Sequence, residues 1–373
     1  MSAWESVKKQ AEDPDNYISG EGVNHYEKYE QDFDIAKEMN LNSFRFGIEW
    51  SRVEPVQGQW NRQEIQHYKE YITALKKRGL EPFLNLWHWT QPVWFEEKGG
   101  FARKSNIKYF EQFVHKISEE FGSDVKYVIT LNEPNVYASF SFGTGEWPPQ
   151  ETSWLKAIKV YKNLIRAHKA AYKILKKENP KMQIGIAAQL ANIQAKRPHN
   201  FLDQITTKWM RHWWNWWFLN KINRYQDFVG FNYYFTDYYR RGKRDNPEVP
   251  LNDLGWYMEP EGLYPLLLRV WAHYKKPIFV TENGVADADD QFRQWWLEET
   301  VLAIERALSE DVDVRGYFHW SLLDNFEWAY GWWPKFGLVE VDRQNSMKRK
   351  VRKSAKWYAD FIEQQQNSQK DKK

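Results

Sequence analysis

Seven short apolar runs, each followed by a longer stretch with helical spacing, constrain this chain more than any other feature of its sequence. The runs are Phe44–Trp50, Pro82–His88, Tyr127–Leu131, Gln183–Ala188, Phe228–Tyr234, Ile278–Thr281 and Val314–Trp320. Most are apolar almost throughout, as strands are when a sheet is covered on both faces. Between them, apolar residues return every three or four positions. Tyr26, Tyr29, Phe33, Ala36 and Met39 make one stripe; Ile65, Tyr68, Ile72 and Leu75 make another. Ile107, Phe110, Val114, Ile117 and Phe121 continue the rhythm, as do Leu297, Val301, Ile304 and Leu308. Asn61 followed by Glu64 reads as a helix start.

Repeated strand–helix alternation requires parallel strands joined by helical crossovers, and closure into a barrel ends such a series naturally. The expected fold is therefore α/β, of the TIM (β/α)8-barrel type, with about seven strands readable and the first absent. Residues 1–25 contain no convincing strand. No linker rich in Gly, Pro or Ser divides the chain, so residues 1–363 are expected to form one domain. Residues 364–373 are polar and aperiodic, and a disordered tail is expected there.

Composition removes several kinds of chemistry. The chain has no cysteine, hence no disulfide, thiol nucleophile or zinc–thiolate site. Its nine histidines include no pair at i and i+4, so neither a metal nor another cofactor is expected. The formal net charge is only +3, and the basic clusters at Arg240–Arg244 and Lys348–Lys353 read as solvated loops, which argues against a nucleic-acid partner. No signal-type segment or membrane span is evident, so a cytoplasmic protein without a membrane partner is expected. The 22 Trp, 21 Tyr and 22 Phe mostly serve the core, but aromatic rings also stack on the C–H faces of sugars.

In barrel enzymes the reacting groups sit where strands end. Glu133 ends the run Tyr127–Asn132, and Glu282 follows Ile278–Thr281. Two poorly solvated carboxyls facing one cavity are what glycoside hydrolysis requires: one donates a proton, the other attacks or activates water. Position alone fits equally well with each glutamate capping a helix or pairing with an arginine.

The surrounding residues favour the chemical reading. Thr130-Leu131-Asn132-Glu133-Pro134 and Val280-Thr281-Glu282-Asn283-Gly284 resemble the two catalytic motifs of glycoside hydrolase family 1. The similarity continues in order through Phe44-Arg45-Phe46, Glu49-Trp50-Ser51-Arg52, His88-Trp89, Gly230-Phe231-Asn232-Tyr233-Tyr234, the segment His319–Trp328, and Phe336-Gly337-Leu338-Val339. It runs from about Trp4 to Ile362. The resemblance implies a retaining β-glycosidase with Glu133 as acid/base and Glu282 as nucleophile. It implies Arg45, Asn132, Asn232 and Tyr234 as support for those carboxyls. His88, Trp89, Trp320, Glu327 and Trp328 would grip the sugar, a small β-glycoside or oligosaccharide. Glu327 would repel a 6-phosphate, and relatives acting on thioglucosides carry an amide in place of Glu133, so neutral O-linked sugars are implied.

The family pattern also places a first strand, bearing a sugar-binding glutamine, ahead of Trp4. Without it the expected consequences are a gap beside Phe44–Trp50 and Val314–Trp320, a barrel edge open to self-association, and reduced activity. The rival reading is a non-catalytic barrel that binds sugar or a flat aromatic ligand. Transglycosylation is a variant of the hydrolytic reading.

Overall fold

A computed structural model describes residues 14–370. Parallel strands form on the seven apolar runs: β1 (Ser43–Gly47), β2 (Glu81–Asn85), β3 (Tyr127–Asn132), β4 (Gln183–Ala195) and β5 (Val229–Arg240), then, past the short β6 (Lys243–Arg244), β7 (Ile278–Asn283) and β8 (Val314–His319). Their order in the sheet is β1-β2-β3-β4-β5-β7-β8, with β6 antiparallel to the end of β5. A separate hairpin pairs β9 (Val339–Asp342) with β10 (Lys348–Val351).

The longer helices are α1 (His25–Glu38), α2 (Arg62–Lys77), α3 (Ile107–Phe121), α4 (Trp154–Glu178), α5 (Phe201–Arg211), α6 (Trp217–Ile222), α7 (Leu263–Tyr274), α8 (Arg293–Ser309) and α9 (Lys353–Lys370). Asn61 caps α2 as its position predicts, its Oδ1 accepting from the amides of Gln63 and Glu64 at 3.0 and 3.3 Å. The sheet is nearly closed into a barrel. Its central strands are dry on both faces, with Val128, Ile184, Phe231 and Val280 fully buried. Below the strand ends, Phe83, Phe228, Phe279 and Phe318 fill the interior with ring centroids 4.9–5.7 Å apart. Such packing makes a solid floor under whatever lies above.

Among the described residues the barrel does not close by strand pairing: β1 pairs only with β2 and β8 only with β7. Between them lies a cavity of about 1050 Å³ that runs from Lys126 and Arg315 up to Trp320 and Asn325. It lies where a gap is expected; residues 1–13, part of the stretch read as lacking a strand, are outside the described residues. The cavity is only partly overlaid: Tyr26 and His25 of α1, and Tyr358 and Phe361 of α9, line it, while β1 and β8 stay half-exposed.

Buried charge ties α1 to the β9–β10 hairpin that leads into α9. Arg349 of β10 grips Asp32 of α1 through Nε and Nη2, both at 2.8 Å, and His25 Nδ1 lies 2.8 Å from the same carboxyl. Burial works to raise the Asp32 pKa, but Arg349 and His25 outweigh it and hold the carboxyl below its usual range. Arg352 similarly clasps Asp324 at 3.0 and 3.1 Å. The segment Lys348–Lys353 is therefore not the solvated loop its basic composition suggests. Arg349 and Arg352 turn inward to buried acids that no local pattern reveals.

The chain end differs too. Residues 364–370, expected as a disordered tail, continue α9, and Gln366 Nε2 donates to the Asn40 carbonyl at 3.2 Å. Gln, Asn, Ser and Lys tolerate a helix once one is nucleated upstream.

Replacing Asp32 by Ala leaves Arg349 buried without its counter-ion. We expect a loss of about 3–5 kcal/mol in denaturant unfolding. In the parent the Asp32 contribution is present above the ordinary carboxyl range and is lost as pH falls through the lowered folded-state value. The gap between parent and variant should shrink in acid; a constant gap would refute the assignment.

Candidate active site

The strand ends bring the two glutamates together. In the β5–β7 register Asn232 stands opposite Glu282. Across the barrel, Glu133 leaves β3 with its amide donating to the Ala187 carbonyl of β4 at 2.6 Å. Its backbone is left-handed (φ 41°), a conformation costly for a non-glycine residue and held only where the surroundings enforce it.

One hydrogen-bond network connects the carboxyls. Arg45 of β1 donates Nη1 to Glu282 Oε1 at 2.5 Å and Nη2 to Asn132 Oδ1 at 2.6 Å. Tyr234 donates to the other Glu282 oxygen at 2.8 Å. Asn232 Nδ2 donates to Glu133 Oε1 at 2.8 Å and lies 3.3 Å from Asn132 Oδ1. Arg45 fixes Asn132 Oδ1 as an acceptor, so the Asn232 atom facing it is Nδ2, and Asn232 Oδ1 then accepts from Thr281 Oγ1 at 2.6 Å. Asn132 Nδ2 in turn faces His88 Nε2 at 2.9 Å. With Asn132 Oδ1 already accepting from Arg45, Nδ2 must be the donor, so His88 Nε2 accepts and the imidazole is neutral. Burial and the nearby Arg45 charge push the His88 pKa well down, which agrees.

The two glutamates have opposed environments. Burial first, then the charge on Glu282, lift the Glu133 pKa well above the usual carboxylate range; the Asn232 hydrogen bond and Arg45 only partly offset this. Glu282 takes a cation on one oxygen and a phenol on the other, which balances its charge and fixes its aim. A carboxyl driven toward its protonated form beside one held by a cation and a phenol marks a division of labour between acid and nucleophile.

Aromatic rings close over His88. Trp89 lies 4.9 Å from it, with Trp320 and Trp328 each at 5.8 Å. Glu327 accepts from Asn325 Nδ2 at 2.6 Å. Burial raises the Glu327 pKa to about 7, helped by the Glu282 charge and opposed by the hydrogen bonds from Asn325 and Trp320. Thus every residue the motifs nominated converges on one site.

Sequence reading passed over three contributors. Thr281 and Asn325 stand inside the quoted motifs, but only the fold shows that they orient Asn232 and Glu327. Trp147, with its ring 4.4 Å from Trp89 and 6.2 Å from Trp328, comes from an irregular loop whose one local signal is the following Pro148-Pro149. No cluster of His, Asp or Glu suited to a metal exists among the described residues.

Two buried carboxyls with opposed environments, at the C-terminal end of a parallel barrel and under an aromatic canopy, define a glycoside hydrolase. The chain matches the family model described as Glycosyl hydrolase family 1 over residues 1–226 and 219–367. It belongs to that family and is a β-glycosidase hydrolase.

Among its relatives, β-glucosidase A of Thermotoga maritima is 30% identical, over 97% of this chain and 92% of that one. β-Glucosidase A of Acetivibrio thermocellus is 29% identical, over 93% and 89%. In structure, a β-glycosidase from Pyrococcus horikoshii superposes with a TM-score of 0.86 at 34% identity, covering 93% of this chain and 86% of the other. The Thermotoga maritima enzyme in complex with glucoimidazole gives 0.87 at 29% identity, covering 92% and 88%.

Proposed function

We propose that the chain hydrolyses neutral O-linked β-glycosides by double displacement with retention of configuration. Glu282 attacks the anomeric carbon while Glu133 gives its proton to the leaving oxygen. Glu133 then takes a proton from water as that water displaces Glu282. Asn132 carries a second Nδ2 hydrogen, and we assign it to the sugar 2-hydroxyl. The observation that carries the reading is the contrast just described: one carboxyl driven toward its protonated form, the other clamped between Arg45 and Tyr234. The glucose-like inhibitor bound by the Thermotoga maritima relative supports a small glycoside as substrate.

Turnover is expected to be slow. Among the described residues Arg45 rides on an edge strand, β1, so the donor that aims the nucleophile is braced by a paired strand on one side. We also assign any self-association to the β1 and β8 edges. Proton NMR of the sugar first released from an aryl β-glucoside tests the chemistry. The β-anomer supports the proposal; the α-anomer means inversion, and saturable binding without any product means a binder.

Glu327 offers a second check. As a carboxylate it accepts charge-assisted hydrogen bonds from sugar hydroxyls; as an acid it keeps only a weaker, neutral acceptor. With its pKa near 7, KM for an aryl β-glucoside should fall as pH rises through about 7. Glu327→Gln should raise KM and flatten this dependence; an unchanged slope would assign the titration to another group.

A further inference from the structure

Beside the mouth of the barrel, the structure exposes apolar surface that neither the core nor the active site uses. Along α5 and the turn after it, Phe201, Leu202, Ile205, Trp209 and Trp213 are 41–71% exposed. Their spacing puts them on one face of a helix, about a third of its circumference. The opposite face carries Asp203 and Thr207, both buried. The rings are continuous: Trp209 lies 6.3 Å from Trp213, Trp213 lies 5.2 Å from Trp217, and Trp217 lies 4.8 Å from Tyr161 of α4. At the start of α4, Leu155 is 83% exposed.

The rim of this stripe is cationic. The turn between β5 and β6 sits against α5, the Arg241 amide donating to Asp203 at 2.8 Å. Nearby acids are already engaged: Asp203 by Arg197, Asp237 by Arg244, and Asp245 by Arg240. Lys196, Lys208, Arg241 and Lys243 are exposed, and among the described residues they form no ion pair. The basic run at Arg240–Arg244 is thus solvated as its sequence suggests, but it stands beside bare Trp and Phe.

We propose that this face, formed by α5 and the β5–β6 turn, docks on an anionic lipid surface. The pattern of Trp, Phe and Leu on one face with Lys and Arg along its border is what lies in the headgroup layer of a bilayer. A second copy is the poorer occupant, because a symmetric contact would set this cationic rim against itself. No described helix is long and apolar enough to cross a membrane, so the contact is peripheral. The stripe also shares the catalytic face: Trp214, within the same aromatic segment, donates to Gln189, which stands opposite Asn232 in the β4–β5 register. Docking there holds the site mouth near the bilayer surface.

The test is co-sedimentation of the full chain with vesicles of phosphatidylcholine alone and of phosphatidylcholine mixed with phosphatidylglycerol. Binding is expected to the mixed vesicles and to weaken with salt. The double variant Phe201→Ser with Trp209→Ser should reduce it about tenfold or more, since each side chain contributes apolar burial. Lys243→Glu should reduce it by roughly fivefold or more, because at least one interfacial cation is lost. Neither variant touches the active site, so kcat toward a soluble glycoside should stay at the parent level. Should the double variant misfold, Lys243→Glu and the salt series still decide. Equal affinity for both vesicle types, or insensitivity to all variants, overturns the proposal. So does a concentration-dependent dimer, or retention on an acidic polypeptide, that needs these residues while vesicles are ignored.

Discussion

Glu282→Gln should abolish turnover of an aryl β-glucoside, by roughly 10⁴-fold or more, because no other group can form the bond to the anomeric carbon. The amide keeps the shape, so Arg45 and Tyr234 stay in place and the variant should fold normally. A second readout ties the loss to electrostatics. The charge on Glu282 is one reason the Glu133 pKa stands high. Removing that charge must lower it, and carbon-13 NMR of the glutamate carboxyls should show Glu133 titrating at lower pH in the variant. Parent-level turnover would sink the nucleophile assignment. An unmoved titration would mean that the two carboxyls do not share a site.

Glu133→Gln should separate the two halves of the reaction. With a poor leaving group, loss of the proton donor is expected to cost on the order of 10²–10⁴ in kcat/KM. With a leaving group acidic enough to depart as an anion, the first step should survive and the glycosyl-enzyme should accumulate. Azide, a small anion that needs no general base, should then restore turnover as a glycosyl azide. If aryl glycosides of different acidity suffer equally, Glu133 is not the acid.

The same substitution bears on stability. Folding raises the Glu133 pKa, so between the ordinary carboxyl range and the raised folded value the native state holds a proton that the unfolded chain releases. Stability therefore falls as pH rises across that window. A neutral amide in its place carries no such penalty, and the variant should melt higher at neutral pH, by roughly 1–2 °C per kcal/mol recovered. That difference should vanish in acid. A residue kept for catalysis at a cost in stability behaves in this way.

Much of the architecture could be read from residue order. Each apolar run became a strand within a few residues, because a strand buried on both faces must be apolar over most of its length. The strands that ran longer than expected are β4 and β5. Beyond Leu190 and Tyr234 polar residues interrupt the pattern, yet Asn192–Ala195 pair with Thr236–Tyr239 to carry both strands past the barrel rim. In α8 the stripe Leu297, Val301, Ile304 and Leu308 suggested one buried face. The helix instead buries Trp296, Thr300, Ala303 and Ala307 along with Leu297. Trp296 Nε1 and Thr300 Oγ1 both donate to Asn283 Oδ1, at 2.9 and 3.1 Å, and satisfying that buried amide sets the rotation.

By itself the sequence determined the seven barrel strands and several of the helices between them, that the strands run parallel, and which carboxyls stand at strand ends. Periodicity and motif order are local properties of the chain. Only the tertiary structure decided how the gap between β1 and β8 is partly overlaid, which basic residues are buried against acids, and which glutamate is driven toward its protonated form. Each of these depends on groups far apart in sequence: Asp32 with Arg349, Asp324 with Arg352, Glu133 with Glu282. The energies of burial and of neighbouring charge exist only once the fold has brought those groups together.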